Sequence, residues 1–156
     1  MTPQEEVFDS PKGWVAAHVR RYVESDGKRG HRWGGVHTLL LTTRGRKSGK
    51  LRRTALIYGR DGDRYMVVGS AGGAKRPPSW YLNLVEKPDV HLQVGAERFR
   101  ARAVPATGKE KARLWRVMAS MWPDYDRYQA KTERDIPLVI LERRSARPRA
   151  RKARSS

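Results

Sequence analysis

The segment from Leu39 to Tyr58 constrains the fold most tightly. Two runs, Leu39–Thr43 and Leu51–Tyr58, flank a connector that holds Gly45 and Gly49. Apolar and β-branched residues on either side of a glycine-containing turn predict a β-hairpin. Six basic residues and no acidic one lie between Arg44 and Arg53. A turn so charged, with the Ser48 hydroxyl and backbone amides beside it, can hold a phosphate or a carboxylate. The same charge also suits a turn that is only solvated.

The remaining elements follow by periodicity. Ser10 and Pro11 mark the start of a helix over Lys12–Glu24, with Val15, Val19, Tyr22 and Val23 on one face. That face predicts a helix packed on the core, or one lying on a membrane surface or acting as a lid. Ser25–Gly35 reads as a loop. The first hairpin is expected over Val36–Thr43 and Leu51–Arg60, followed by a turn at Asp61-Gly62-Asp63 and a strand over Arg64–Ser70. Gly69-Ser70-Ala71-Gly72-Gly73 then lets the backbone approach a ligand closely. A short helix is expected over Pro77–Leu84, and a second hairpin over Val90–Val94 and Glu97–Val104. Arg98, Arg100 and Arg102 alternate with Phe99, Ala101 and Ala103, which gives that strand one wet basic face. Thr107 and Glu110 form a capping-box pattern before a helix to Met121, with Leu114, Val117, Met118 and Met121 on one face. Trp122, Tyr125 and Tyr128 follow at intervals of three, either as a core seam or as an aromatic wall for a flat ligand. Ile136–Leu141 is the last strand. Six strands joined mostly by hairpins predict an α+β, mainly β, fold: a small antiparallel barrel with peripheral helices.

A chain of 156 residues forms one domain around one core. It has no cysteine, which excludes disulfides and thiolate chemistry. Neither a bilayer-spanning run nor a secretory leader is expected, so the location is expected to be cytoplasmic. The formal charge is +18, and seven of those charges fall in Arg143–Ser156. The body is therefore basic too, and the candidate partners are nucleic acid, an anionic membrane surface or a polyanionic small molecule. His18, His31, His37 and His91 lack metal-ligand spacing, so no metal is expected. Nucleophile-elbow, Walker and GxGxxG patterns are absent. If the chain is an enzyme, a cofactor carries the reaction and the protein positions it.

Five blocks resemble the deazaflavin-dependent nitroreductase family in one order. They are Thr42–Gly49, Gly69–Gly73, Pro78–Leu84, Trp122–Tyr125 and Ile136-Pro137. The resemblance spans about Gly34–Glu142 and implies a six-stranded split β-barrel of actinobacterial type. It implies coenzyme F420, an 8-hydroxy-5-deazaflavin with a phosphate and an oligoglutamate tail. On that resemblance Arg46, Lys47, Ser48, Arg52 and Arg53 would hold the anionic groups. Thr54, Ala55, Leu56, Ile57, Val68, Gly69, Ser70 and Ala71 would run along the ring. Trp80, Tyr81 and Asn83 would close the phosphate and ribityl end, and Tyr125, Tyr128 and Trp122 would line the acceptor side. Ala71 stands where some members carry lysine, Ala55 where some carry proline, and Trp122 where a tyrosine also occurs.

The expected organisation is an N-terminal helix and loop over 1–33, a deazaflavin-binding split barrel over 34–143, and a disordered basic tail over 144–156. The expected activity is hydride transfer from reduced deazaflavin to a quinone, nitroaromatic or other activated alkene. The rival readings are a nucleic-acid binder that uses the tail and the hairpin, or a flavin mononucleotide or haem binder on the same barrel type. The tail also leaves open non-specific contact with nucleic acid or with an anionic membrane, the latter placing the protein at the membrane periphery. The oligomeric state is not legible.

Overall fold

The computed structural model describes residues 5–10, 13–33 and 35–144. Expectations about Pro11, Lys12, Gly34 and the basic tail from 145 onward lie outside these residues. The described elements are β1 (Val7–Asp9), α1 (Gly13–Glu24), β2 (Arg32–Trp33), β3 (Val36–Arg44), β4 (Leu51–Ile57), β5 (Gly59–Asp61) and β6 (Arg64–Val68). They continue with α2 (Ser79–Glu86), β7 (Asp89–Val94), β8 (Glu97–Pro105), α3 (Gly108–Met121), α4 (Asp124–Lys131) and β9 (Leu138–Arg143). The fold is mixed α and β, mainly sheet, with four α-helices among the described residues.

The sheet corrects the six-stranded expectation. It has nine strands in the order β1-β4-β3-β7-β8-β9-β6-β5, with β2 on β3, and the path does not return on itself. Both expected hairpins form, β3 with β4 and β7 with β8. The first extra strand, β1, pairs in parallel with the start of β4, from Val7 opposite Leu51 to Asp9 opposite Arg53. The second, β2, has only two residues. The third arises because the strand expected over Leu51–Arg60 breaks at Tyr58. There the Tyr58 amide donates to the His37 carbonyl at 3.1 Å, and its ring packs edge-on against Tyr65 with centroids 5.5 Å apart. Beyond the break, β5 leaves β3 and pairs with β6. Thr54 to Ile57 of β4 thus bond to β3 on one side and pair with no strand on the other among the described residues. A seam opens between that edge and the end of β6.

Three apolar clusters hold the sheet. Leu39, Leu41, Val67, Leu92, Phe99 and Leu141 pack on its inner face. Met66, Val68, Leu138 and Ile140, on the opposite face, are covered by Leu114 and Met118 of α3 and Tyr125 of α4. Burying side chains of this size stabilises by about 1.5–3 kcal/mol each. Val117 of α3, placed on the buried face by periodicity, is instead exposed. The capping box does not form. Thr107 makes no side-chain cap bond, and Glu110 pairs with Arg64 at 3.0 Å. On β8 the expected alternation holds, with Phe99, Ala101 and Ala103 buried and the three arginines exposed.

Helix α1 packs on the core. Val15, Val19 and Tyr22 bury against Leu40. The Tyr22 hydroxyl donates to the Thr38 carbonyl at 2.9 Å and accepts from the Gly95 amide at 2.7 Å. One side chain therefore ties α1 to both hairpins. No described helix is long and apolar enough to cross a membrane.

Candidate functional site

A cavity of about 980 Å³ lies along the open edge of β4. One end is the β3–β4 turn. The backbone amide and the Nη1 of Arg46 both donate to Asn83 Oδ1, at 3.1 and 2.9 Å, and Asn83 Nδ2 donates to Thr43 Oγ1 at 3.2 Å. Asn83 is only 4% exposed. Its amide is committed within the chain, so it pins the turn to α2. Arg53 is also committed, donating to Asp9 at 2.6 and 3.2 Å. Lys47 and Arg52 border the cavity and have no acidic partner among the described residues.

The middle of the cavity is the loop after β6. Ser70 is right-handed (φ −76°, ψ −37°), while Ala71, Gly72 and Gly73 are left-handed at φ 46°, 65° and 84°. A right-handed residue followed by a left-handed one turns successive N–H groups toward a common point and makes a small anion- or carbonyl-binding nest. Arg134 grips the loop from behind. Its Nη2 donates to the carbonyls of Ser70 at 2.7 Å and Gly69 at 3.2 Å, and its Nε donates to the Ala74 carbonyl at 2.7 Å. In a trans peptide the N–H points away from the carbonyl. Holding the Gly69 and Ser70 carbonyls therefore aims the Ser70 and Ala71 amides the other way. Both residues border the cavity, and neither amide has an acceptor among the described residues.

The far end is aromatic. Trp122, at the end of α3, and Tyr125 and Tyr128 of α4 all border the cavity. Tyr125 and Tyr128 meet edge-to-face at 6.3 Å. Tyr125 is 5% exposed, and burial holds its hydroxyl protonated well above the ordinary phenol range. Trp33 of β2 lies against Trp122 at 5.8 Å, and Trp14 of α1 stacks on Trp33 at 6.0 Å and 14°. Trp14 and Trp33 are 62% and 41% exposed, so the ladder opens outward. His18 of α1 also borders the cavity, with Nε2 at 3.1 Å from Thr38 Oγ1. Burial, with Arg21 nearby, lowers its pKa and keeps the ring neutral.

The family model described as F420H(2)-dependent quinone reductase matches residues 14–143. The chain belongs to that family. It is 43% identical over 131 residues to the F420H(2)-dependent quinone reductase of Mycobacterium tuberculosis H37Rv, covering 81% of this chain and 88% of that one. A solved F420-H2 dependent reductase, FDR-A, is 37% identical and superposes with a TM-score of 0.63, over 67% of this chain and 93% of that one. A chain solved as a domain-swapped dimer is 34% identical, with a TM-score of 0.66, over 85% of this chain and 100% of that one.

Against this family background, the cavity brings together Arg46, Lys47, Ser48, Arg52, Arg53, Thr54, Ala55, Leu56, Ile57, Val68, Ser70, Ala71, Trp80, Asn83, Trp122, Tyr125 and Tyr128. It does not bring in Gly69 or Tyr81. A side chain at Gly69 would meet Pro137 at 2.9 Å, and its amide donates to the Pro137 carbonyl, so that glycine serves packing. Tyr81 packs against the inner cluster, edge-on to Trp80 at 6.4 Å. Sequence reasoning missed Arg134, Trp14, Trp33 and His18. The two tryptophans were visible as aromatics, but their meeting with Trp122 depends on how α1 and β2 dock. Nothing local marks Arg134, whose acceptors lie about sixty positions earlier.

Proposed function

We propose that this chain reduces a quinone or a similar flat, activated acceptor with reduced coenzyme F420, both bound in the seam. The carrying observation is one cavity with cations that have no acidic partner among the described residues at one end, converging amides in the middle and aromatic rings at the other. On this reading the seam is the split of a split barrel. The residues fit an anionic, ring-bearing coenzyme. Lys47 and Arg52, with Ser48, take phosphate and carboxylate oxygens through charge-assisted bonds. The Ser70 and Ala71 amides take ring carbonyl oxygens, and the β4 edge from Thr54 to Ile57 forms a wall along the ring. Asn83 acts as a positioning residue for Arg46. When bound, the reduced deazaflavin supplies a hydride; the chain supplies proximity and orientation.

Trp122 and Tyr128 hold the acceptor by stacking, at small entropy cost. Tyr125 stays protonated and donates a hydrogen bond to an acceptor oxygen as charge develops there. Steady-state oxidation of the reduced coenzyme by a water-soluble quinone tests the proposal. Turnover with the quinone is expected; none with quinones or nitroaromatics would overturn it.

The aromatic end gives a sharper expectation. Tyr125→Phe keeps the ring, and the hydroxyl makes no bond to another described residue. Turnover should fall by about 2–10-fold, the worth of one neutral hydrogen bond, with the melting temperature unchanged. Tyr128→Ala should raise KM several-fold. Unchanged kinetics in both variants, with lowered melting temperatures, would assign the tyrosines to the core and place the acceptor elsewhere.

A further inference from the structure

The chain's own N-terminal segment already occupies part of the cationic site. Glu5 accepts a two-pronged ion pair from Arg44, with one contact from Nη2 to Oε1 at 3.0 Å. Asp9 accepts another from Arg53, at 2.6 and 3.2 Å. Between them Phe8 lies under Lys50 and Arg52, whose charges sit 5.0 and 5.5 Å from its ring centre. Strand β1 runs parallel to β4 for three residues only, and Ser10 closes it with an amide bond to the Arg53 carbonyl at 2.9 Å. Phe8 and Asp9 border the same cavity as Lys47, Arg52 and Ser70. None of Val7, Phe8 and Asp9 belongs to an apolar core cluster.

An extended strand with carboxylates at both ends thus lies along a row of cations. That occupant shows what the row accepts: carboxylates spaced along an extended, peptide-like chain. It is held by exposed or half-buried ion pairs and a short edge ladder, contacts that contribute little individually. We propose that the acidic segment Glu5–Asp9 is a strap that covers the cationic row Arg44, Lys50, Arg52 and Arg53 until the coenzyme's anionic tail displaces it. The proposal rests on the function proposed above and adds a consequence: the strap competes only with coenzymes that carry the tail.

The test compares the full-length parent with the double variant Glu5→Gln/Asp9→Asn. Two probes are titrated by fluorescence: the deazaflavin phosphodiester without glutamates, and the same coenzyme carrying several. Removing the strap's charges should tighten binding of the long-tailed form about threefold or more, two exposed ion pairs' worth. The tail-free form should bind both proteins equally. Amide exchange in the 5–10 segment of the parent should quicken with the long-tailed form and not with the tail-free one. Equal effects on both probes, weaker binding by the variant, or unchanged exchange would overturn the strap. Failure of the tail-free form to bind the parent would instead overturn the proposed function.

Discussion

Arg134→Ala is expected to lower both the stability of the chain and its affinity for the coenzyme. The side chain makes three charged hydrogen bonds to the carbonyls of Gly69, Ser70 and Ala74. Hydrogen bonds to a charged group contribute about 1.5–3 kcal/mol each when well ordered, and they are not additive within one network. A destabilisation of about 2–4 kcal/mol follows, which for a domain of this size lowers the melting temperature by roughly 5–15 °C. Its Nη1 is buried without an acceptor among the described residues, so the guanidinium sits there at a cost that the other nitrogens offset. Coenzyme binding should suffer as well. Ala71 holds a left-handed conformation that a residue with a side chain adopts at a cost of about 1–2 kcal/mol. Released from Arg134, the loop relaxes and the two amides diverge. Coenzyme binding should weaken by about tenfold or more well below the variant's melting temperature, since oriented amides act through their orientation. Arg134→Lys, which can reach one carbonyl at a time, should recover part of the stability and little of the binding. Normal binding by Arg134→Ala at low temperature would mean that the nest does not touch the coenzyme.

The second large effect concerns Lys47 of the β3–β4 turn and Arg52 at the start of β4. Lys47→Ala and Arg52→Ala each remove a charge that has no acidic partner among the described residues. Neither change leaves a buried carboxylate unpaired, so stability should change by less than about 0.5 kcal/mol. Coenzyme affinity should fall by about 1.5–3 kcal/mol per variant, roughly 10–150-fold. The loss should shrink as salt rises, because exposed charges are screened. Arg53→Ala should behave differently. Its partner Asp9 is part of the strap, so that variant frees a carboxylate as well as removing a cation. Parental affinity in both Lys47→Ala and Arg52→Ala would reduce the turn to a solvated charge run.

The sequence was most informative where local physics decides the outcome. Alternation made β8 legible, because a strand with one buried face must alternate, and β3 was legible as an apolar run beside a glycine-containing turn. The two-residue turns at Gly62-Asp63 and Gly95-Ala96 were legible through glycine, which sits there at φ 62° in both. Helix α1 was legible as amphipathic, and the choice between core and membrane surface was settled by Tyr22, whose hydroxyl bonds both hairpins. What failed was non-local. Strand β1 is three residues long and forms only because β4 offers an uncovered edge. The break at Tyr58 sits against the rings of His31 and His37, which lie far earlier in the chain. Thr107 and Glu110 matched a capping box, but Arg64 offers Glu110 a full charge, which outcompetes a backbone amide. Asn83 borders the cavity, and its role in the turn was not legible. Its bonds to Arg46 and Thr43 also make it a brace for the turn.

The central claim is that the seam beside β4 binds a deazaflavin by its anionic end and its ring together. Its most direct measurement is a side-by-side fluorescence titration of the purified chain with coenzyme F420 and with flavin mononucleotide. The account predicts that F420 binds at least tenfold more tightly at low salt. The preference should narrow on adding salt and vanish in the Lys47→Ala/Arg52→Ala double variant. Equal or tighter binding of flavin mononucleotide would contradict it.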